Sequence, residues 1–349
     1  MTSEQRVLTA FEFQQPDRIP VYDRFWEFPP EWRQRLGPPE RLTDISLFVP
    51  DETPFPSRAG LLKQEGEWQY EVDSWGRTIR RRPGAFFVEV LGNAVEPATD
   101  PEAVQFESPS DDRRYYQGQS KAEFEDSIRR LRASHYAYVK TGGPYLRTAL
   151  LVGQVQFLST MASDPTRARA WADKVAEHIT CVGLEALRRS GLQGNGLWIY
   201  DDMGSNRGPL FSPGTFEQVL LPAYRRMIAA FRRAGARYVL LHSDGDIRPL
   251  LDMLIEAGIE GLNPVERRAG MDMVRLRRSY PRLILTGGMC NTCTLLKGPL
   301  SRIEAEAREI IELGRSGGVV IGTHSISPEV PLEHYVAYRR VCETFGVYQ

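Results

Sequence analysis

From residue 136 onward, short apolar runs alternate with longer amphipathic segments along the chain. The runs are rich in Val, Ile and Leu and carry few charges, which is typical of strands that are covered on both faces. The amphipathic segments have the length of helices that cross from one strand to the next. We therefore predict parallel strands at residues 136–140, 196–200, 237–242, 258–263, 283–286 and 318–321.

Helix-capping residues mark the segments between these strands. The segment 165–190 follows Asp164 and the segment 213–234 follows Ser212, and in both cases the first helical residue is a proline. Gly235 is a typical C-terminal cap. Further elements are predicted as helices at 247–257, 271–279, 300–314 and 331–345 and as strands at 19–22 and 45–49. Eight strands with crossover helices predict an α/β fold, a (β/α)₈ TIM barrel, as a single domain over residues 1–349.

The segment 66–95 interrupts this alternation. Aromatic and β-branched residues surround turn pairs at Trp75–Gly76 and Pro83–Gly84. This pattern predicts an antiparallel β-hairpin that is inserted in the barrel near its N-terminus. A structural flap is the simplest interpretation of its role.

Composition and charge narrow the function. The chain has 44 basic and 45 acidic side chains, a net charge of -1, and so no bulk field that attracts nucleic acid or an anionic membrane surface. The N-terminal residues lack the order of a signal peptide and no apolar run reaches 18 residues, so we expect a cytoplasmic protein. In that setting the cysteines are expected to be reduced thiols or ligands; they are Cys181, Cys290, Cys293 and Cys342.

Two of the five histidines fall at the ends of predicted strands. In an α/β barrel, a polar residue just past a strand end points into the active site. His242 and Asp244 follow one strand and His324 follows the last, so the three can converge on one divalent metal with an open position, as in a catalytic zinc site. The alternative is that His242 caps the next helix and His324 is a hydrogen-bonded core residue.

Further polar residues follow other strands. Asp201 and Asp202 lie where a catalytic general base or a ligand would stand, although helix capping or an ion pair with Arg207 explains them equally well. Cys290 and Cys293 form a CxxC pair, but no second pair completes a structural zinc site. Cys290 therefore remains only an additional candidate ligand.

Four sequence runs resemble the uroporphyrinogen decarboxylase superfamily, which also contains cobalamin-dependent methyltransferases. They read RVLTAFEFQQPDRIPV, YDDMGSNRGPLFSPGTFEQVLLPAYRRMI, HSDGDIRPLLDMLIEAGIEGLNPVE and HSISPEVPLEHY. Together they span nearly the whole chain. The resemblance implies the TIM barrel already predicted, with the active site at the C-terminal ends of its strands.

The pocket of the true decarboxylase is not reproduced. Its two substrate-binding arginines align with Asp23 and Glu27, its central aspartate with Ser57 and its pocket tyrosine with Leu150, whereas its histidine survives as His324. Acidic residues in place of the arginines are expected to repel a polycarboxylate. The resemblance therefore favours the methyltransferase branch over decarboxylation of uroporphyrinogen.

The methyltransferase branch binds zinc through a His-x-Cys pair and a later cysteine. Here His242 and Asp244 match the pair with Asp in place of Cys, and His324 lies near the later position. Carboxylate and imidazole ligands leave zinc or another divalent ion a stronger Lewis acid toward oxygen than thiolates do. This implies transfer of a methyl group from a small methyl ether to a corrinoid on a separate corrinoid-binding protein, with Asp202 assisting as an acid. A metal-free decarboxylase and a non-catalytic barrel are the alternatives.

Candidate substrate-binding residues cluster near the first strand and after the 136–140 strand. An aromatic run could line a pocket for an aromatic ether or could be core; its members are Tyr22, Phe25, Trp26, Phe28 and Trp32. Arg24 or Arg147 is a candidate for holding a substrate carboxylate. The predicted substrate-binding set is Tyr22, Arg24, Trp26, Tyr145 and Arg147. Dimerisation is left open.

Overall fold

An eight-stranded parallel sheet lies at the centre of the protein. The structure, a computed structural model, describes residues 1–85 and 87–348, with only the backbone of His324. The strands are β1 (Val21–Phe25), β2 (Ile45–Phe48), β3 (Tyr136–Gly142), β4 (Leu197–Tyr200), β5 (Val239–His242), β6 (Gly261–Val265), β7 (Ile284–Gly288) and β8 (Val319–Ile326). Each is paired with its sequence neighbour from β2 to β8, and β8 pairs with β1. The predicted (β/α)₈ barrel is confirmed.

Asp44 closes the barrel between β1 and β2. The backbone N–H of Asp44 donates to the carbonyl of Val21 at 2.7 Å, and its Oδ2 accepts from the N–H of Val21 at 2.9 Å. Arg6 donates to the other oxygen, Oδ1, at 2.6 Å. Because these groups are buried, the bonds satisfy polar groups at a place where β1 and β2 form no regular ladder.

Helices form the outer layer. They are α1 (Ser3–Phe11), α2 (Pro30–Leu36), α3 (Arg113–Tyr116), α4 (Lys121–Ser134), α5 (Pro144–Val152), α6 (Gln154–Ser163), α7 (Pro165–Ser190), α8 (Pro213–Thr215), α9 (Leu221–Arg233), α10 (Leu251–Glu256), α11 (Met273–Ser279), α12 (Leu300–Leu313) and α13 (Leu332–Phe345). A π-helical turn over Phe216–Leu220 joins α8 to α9. No helix of the described chain is both long and apolar enough to span a membrane.

Strand alternation separates two cores. Side chains of one parity pack between the sheet and the helices, and those of the other parity fill the barrel. The interior is mostly aromatic; it includes Tyr22, Tyr136, Tyr138, Trp198 and Tyr238. Phe11 of α1 packs edge-on against Tyr136 at 5.3 Å and Tyr238 at 5.2 Å between ring centroids, so α1 closes the N-terminal end. Only the C-terminal end remains for a site.

The inserted segment is larger than the predicted hairpin. It forms a four-stranded antiparallel sheet with strands Gly60–Glu65, Trp68–Val72, Thr78–Arg81 and Glu89–Gly92. The first strand is exposed along its length, and it therefore lacks the apolar alternation that marks a half-buried strand. Trp75 and Phe55 are buried where the insert meets the barrel.

Candidate active site

His242 ends β5 with its imidazole facing the open end of the barrel. Its Nδ1 lies 2.6 Å from the amide oxygen of Asn263, which is on the neighbouring strand β6. The amide nitrogen of Asn263 donates to the carbonyl of Thr286 on β7 at 3.4 Å, so the amide oxygen is the atom that faces the histidine. Nδ1 therefore donates its proton to Asn263, and Nε2 faces the carboxylates at the barrel mouth.

Two carboxylates converge on Nε2 of His242. Nε2 of His242 lies 3.8 Å from Oδ1 of Asp202 and 3.6 Å from Oδ1 of Asp244. The three ligand atoms lie within 4.8 Å of one another, and the backbone N–H of Asp244 donates to Asp202 at 3.1 Å. Ligands about 2.0–2.1 Å from a tetrahedral ion stand about 3.4 Å apart, so the cluster fits a divalent cation with little movement.

Strand alternation assigns the adjacent acids to opposite sides of the barrel wall. Asp201 points outward and is fully buried; its carboxylate accepts hydrogen bonds from Tyr145 N at 3.1 Å, Leu146 N at 2.6 Å and the Tyr224 hydroxyl at 2.7 Å. Burial raises its pKa to about 6, against these hydrogen bonds. Asp201 thus caps the start of α5, which favours a structural role over the predicted catalytic one. Asp202 points inward instead and belongs to the cluster with His242 and Asp244.

The two remaining predicted ligands have different outcomes. His324 lies within β8, but its side chain is outside the described part of the structure, so its role as a ligand stays a prediction. Cys290 is buried and caps the turn over Asn291–Leu295, where its sulfur accepts from the N–H of Cys293 at 3.2 Å. Within the described chain it does not belong to the metal-ligand cluster.

Three tyrosines form the floor beneath the cluster. The ring of Tyr200 stacks on the imidazole of His242 with 4.2 Å between centroids. Its hydroxyl lies 2.5 Å from that of Tyr138 and 3.3 Å from that of Tyr22, which are themselves 2.8 Å apart. Burial raises the pKa of Tyr138 and Tyr200 well above the ordinary value, so both hydroxyls are neutral.

Two cations border the same tyrosines. Lys140 of β3 places Nζ 4.4 Å from the centroid of the Tyr200 ring. Burial, with the charges of Arg147 and Arg24, lowers the pKa of Lys140 to about 8. Arg24 of β1 lies against the hydroxyl of Tyr22. Sequence reasoning missed Lys140, although a lone charge at an inward position of an apolar strand was a usable signal.

Two other predicted substrate-binding residues, Arg147 and Tyr145, bond to groups outside the metal-ligand cluster. Arg147 donates to Oε1 of Glu52 at 2.5 Å, and Oε2 of Glu52 accepts from Gly142 N–H at 2.6 Å. Tyr145 is buried, and its hydroxyl accepts from Gln154 at 3.2 Å in the helix layer. These contacts favour structural roles for both residues.

The aromatic run near β1 is divided by strand alternation. Tyr22 faces the barrel interior, whereas Trp26 is 52% exposed. The remaining members form an outer aromatic cluster with Tyr335 of α13; they are Phe25, Phe28 and Trp32. Most of the run therefore contributes to packing and not to a substrate pocket.

Asp23 does not lie in the pocket, where the alignment with the decarboxylase had placed it. Its carboxylate is fully buried outside the barrel, where it accepts from Thr323 N at 3.2 Å, Tyr335 at 3.0 Å and Tyr338 at 3.3 Å and lies 3.6 Å from Arg339. Burial raises its pKa to about 6. Asp23 anchors α13, so the expectation that it repels a substrate from the pocket was wrong.

Fold and geometry together define a (β/α)₈-barrel protein with a cluster of nitrogen and oxygen donors, a candidate metal site, at the mouth of the barrel. Residues 90–345 match the sequence model of the family described as uroporphyrinogen decarboxylase (URO-D). The chain belongs to this family.

Similar proteins include methyltransferases. Two sequences named methylcobamide:CoM methyltransferase MtaA, from Methanosarcina barkeri and its strain Fusaro / DSM 804, are each 31% identical over 128 residues. The match covers 37% of this chain and 36% of each relative, so it spans about a third of their length. A methyltransferase structure from Methanosarcina mazei covers 99% of both chains with a TM-score of 0.68 at 20% identity, which establishes similarity of fold.

Proposed function

We propose that this protein is a metal-dependent methyltransferase. It moves a methyl group from a small oxygen-linked donor, a methyl ether, to a corrinoid that a separate protein carries. The observation that carries the proposal is the convergence of one imidazole and two carboxylates at the mouth of the barrel. Membership of the family and the names of the methyltransferase relatives support methyl transfer as the class of reaction.

The proposed ligands of zinc, or of another divalent ion, are Nε2 of His242 and the carboxylates of Asp202 and Asp244, with His324 as the fourth. Asp202 is thereby reassigned from acid to ligand. When bound, such an ion supplies Lewis acidity toward an ether oxygen, because its ligands are harder than thiolates. Asn263 holds the imidazole in the tautomer and orientation that ligation requires.

The chain itself has to bind the donor and hold the ether oxygen near His242. Tyr200 provides a flat apolar surface beside the imidazole, and its ring orientation is fixed by the hydroxyl contacts with Tyr138 and Tyr22. In the reaction the carbon–oxygen bond breaks, and its electron pair stays on the oxygen. A reduced corrinoid, when bound, would supply the electron pair for the new bond to the methyl carbon. A rigid site that is complementary to the developing negative charge on oxygen favours this transfer.

The test combines metal content with methyl transfer. Purified protein is expected to contain a stoichiometric divalent metal and, with reduced cobalamin, to form methylcobalamin from at least one methoxylated compound in a panel. His242→Ala should lose both properties. His135→Ala is the matched control, because that imidazole bonds the carbonyl of Glu40 near the opposite end of the barrel.

Three results would contradict the proposal. Full metal content in folded His242→Ala protein would refute the ligand assignment. Methylation of a thiol from methylcobalamin, with every ether ignored, would refute the oxygen-linked donor. Metal-free protein that releases CO₂ from uroporphyrinogen would support the decarboxylase alternative.

A further inference from the structure

We propose that Arg24 and Lys140 form a subsite that binds an anionic group, a carboxylate or a sulfonate, of the molecule that occupies the barrel mouth. The identification of that molecule as the methyl donor rests on the proposed function. The binding of an anion does not.

Strand alternation brings the two cations together. Arg24 lies two residues after Tyr22 on β1, and Lys140 lies two residues after Tyr138 on β3, so both side chains point into the barrel one layer above the tyrosine floor. Both are half-buried, which leaves their charged ends within reach of a ligand that enters from the open end. The charge of Arg24 is one of the causes that lower the pKa of Lys140, so the two groups interact.

The charge balance of this layer points to a missing anion. Among the described residues, no carboxylate forms an ion pair with Arg24 or Lys140. Glu52 pairs with Arg147, and Glu52 and Asp202 act on Lys140 only as more distant charges that raise its pKa. Arginine is charged at any physiological pH, and a lysine with a pKa near 8 is mostly charged at neutral pH. Two half-buried cations that have no ion-paired carboxylate repel one another and lose hydration, and a bound anion offsets both costs.

The position of Lys140 relative to His242 restricts the shape of the ligand. The imidazole stacks 4.2 Å from the centroid of the Tyr200 ring, and Nζ of Lys140 lies 4.4 Å from the same centroid. Because both distances are measured from one centroid, Nζ lies no more than about 8.6 Å from the imidazole centroid. A ligand that reaches both must carry its anionic group within about this distance of the atom that approaches His242. Methoxylated aromatic acids meet this requirement.

The test compares binding of charged and neutral molecules of equal shape. Calorimetry with the purified protein would use 4-methoxybenzoate, 4-methoxybenzenesulfonate and the neutral 4-methoxybenzamide. We expect at least one acid to bind about tenfold or more tightly than the amide, as a charge-assisted hydrogen bond provides. The preferred acid distinguishes a carboxylate from a sulfonate subsite.

Variants locate the effect. Lys140→Met should remove about tenfold or more of the preference for the acid, and Lys140→Arg should restore much of it. Lys174→Met is the matched control, because that lysine also lies over an aromatic ring, 5.4 Å from the centroid of Phe106, but on the outer helix layer. It should leave the preference unchanged.

A second measurement does not depend on the shape of the ligand. Acetic anhydride labelling of Lys140, read by mass spectrometry, should slow in the presence of acetate or methanesulfonate and not in acetamide. If no acid is preferred and neither small anion protects Lys140, the subsite is refuted. Acid binding that depends on Lys140 without methylcobalamin formation would retain the subsite and refute the proposed function. Equal methyl transfer from the acid and the amide, unchanged in Lys140→Met, would refute the subsite and support the proposed function.

Discussion

Asn263 offers the sharpest test of the metal centre, because it is predicted to act on the metal without touching it. Its amide oxygen accepts the Nδ1 proton of His242 at 2.6 Å, and the side chain is only 2% exposed. In Asn263→Ala this acceptor is lost. The imidazole must then bury an unsatisfied Nδ1–H or move the proton to Nε2, where it competes with the metal.

The expected magnitude follows from either outcome. A buried donor without an acceptor costs about 1–3 kcal/mol. Loss of a hydrogen bond that orients a ligating histidine typically weakens metal binding by about 10–100-fold, which corresponds to about 1.4–2.7 kcal/mol. We therefore expect the Kd for zinc to rise by that factor in Asn263→Ala. Asn263→Asp, which keeps an acceptor at the same place, should retain affinity near that of the natural protein.

The assay is competition with a chromophoric chelator at fixed pH, with unfolding monitored separately. Asn195→Ala is the matched control, since Asn195 is also buried but its amide donates to Glu4 at 3.0 Å at the closed end of the barrel. That variant should lose stability and keep its zinc affinity. Folded Asn263→Ala protein with unchanged affinity would show that the hydrogen bond does not orient the ligand, and the reasoning would fail.

Three other predictions concern carboxylates. Asp202→Asn should lose metal and stay folded, as checked by elemental analysis and circular dichroism; full metal content would exclude Asp202 as a ligand. Asp201→Ala should keep its metal but lose about 1–3 kcal/mol of stability in urea unfolding, because it leaves buried donors unsatisfied at the start of α5. The pKa of Asp23 is raised to about 6 in the folded state, so its acid form stabilises the fold at low pH and this contribution is lost as pH rises through 6. Compared with Asp23→Asn, the natural protein should lose about 3 kcal/mol between about pH 4 and 7; a constant difference would contradict the shifted pKa.

Local sequence determined the elements and their order. The helix predicted at 165–190 is observed as Pro165–Ser190, because Asp164 caps its start, Pro165 fits the first turn and Gly191 takes the left-handed conformation after its end. The strands followed from short apolar runs with few charges. His242 and Asp244 were identified because polar residues at or just past the end of a predicted strand can be recognised from the sequence. Such signals depend on neighbours within a few residues.

Tertiary structure decided which of the polar residues meet. Asp202 joins the cluster and Asp201 does not, because their side chains point to opposite sides of the barrel wall after β4. When two adjacent residues are both acids, the sequence does not show which of them points inward. Asn263 and Lys140 are 21 and 102 positions from His242, and no local pattern connects them to it. They join the site because strand pairing places inward positions of β3, β5 and β6 in adjacent layers of one barrel. Alternation along each strand decides which way a side chain points. The charged side chains of different strands come together only when the sheet closes into a barrel.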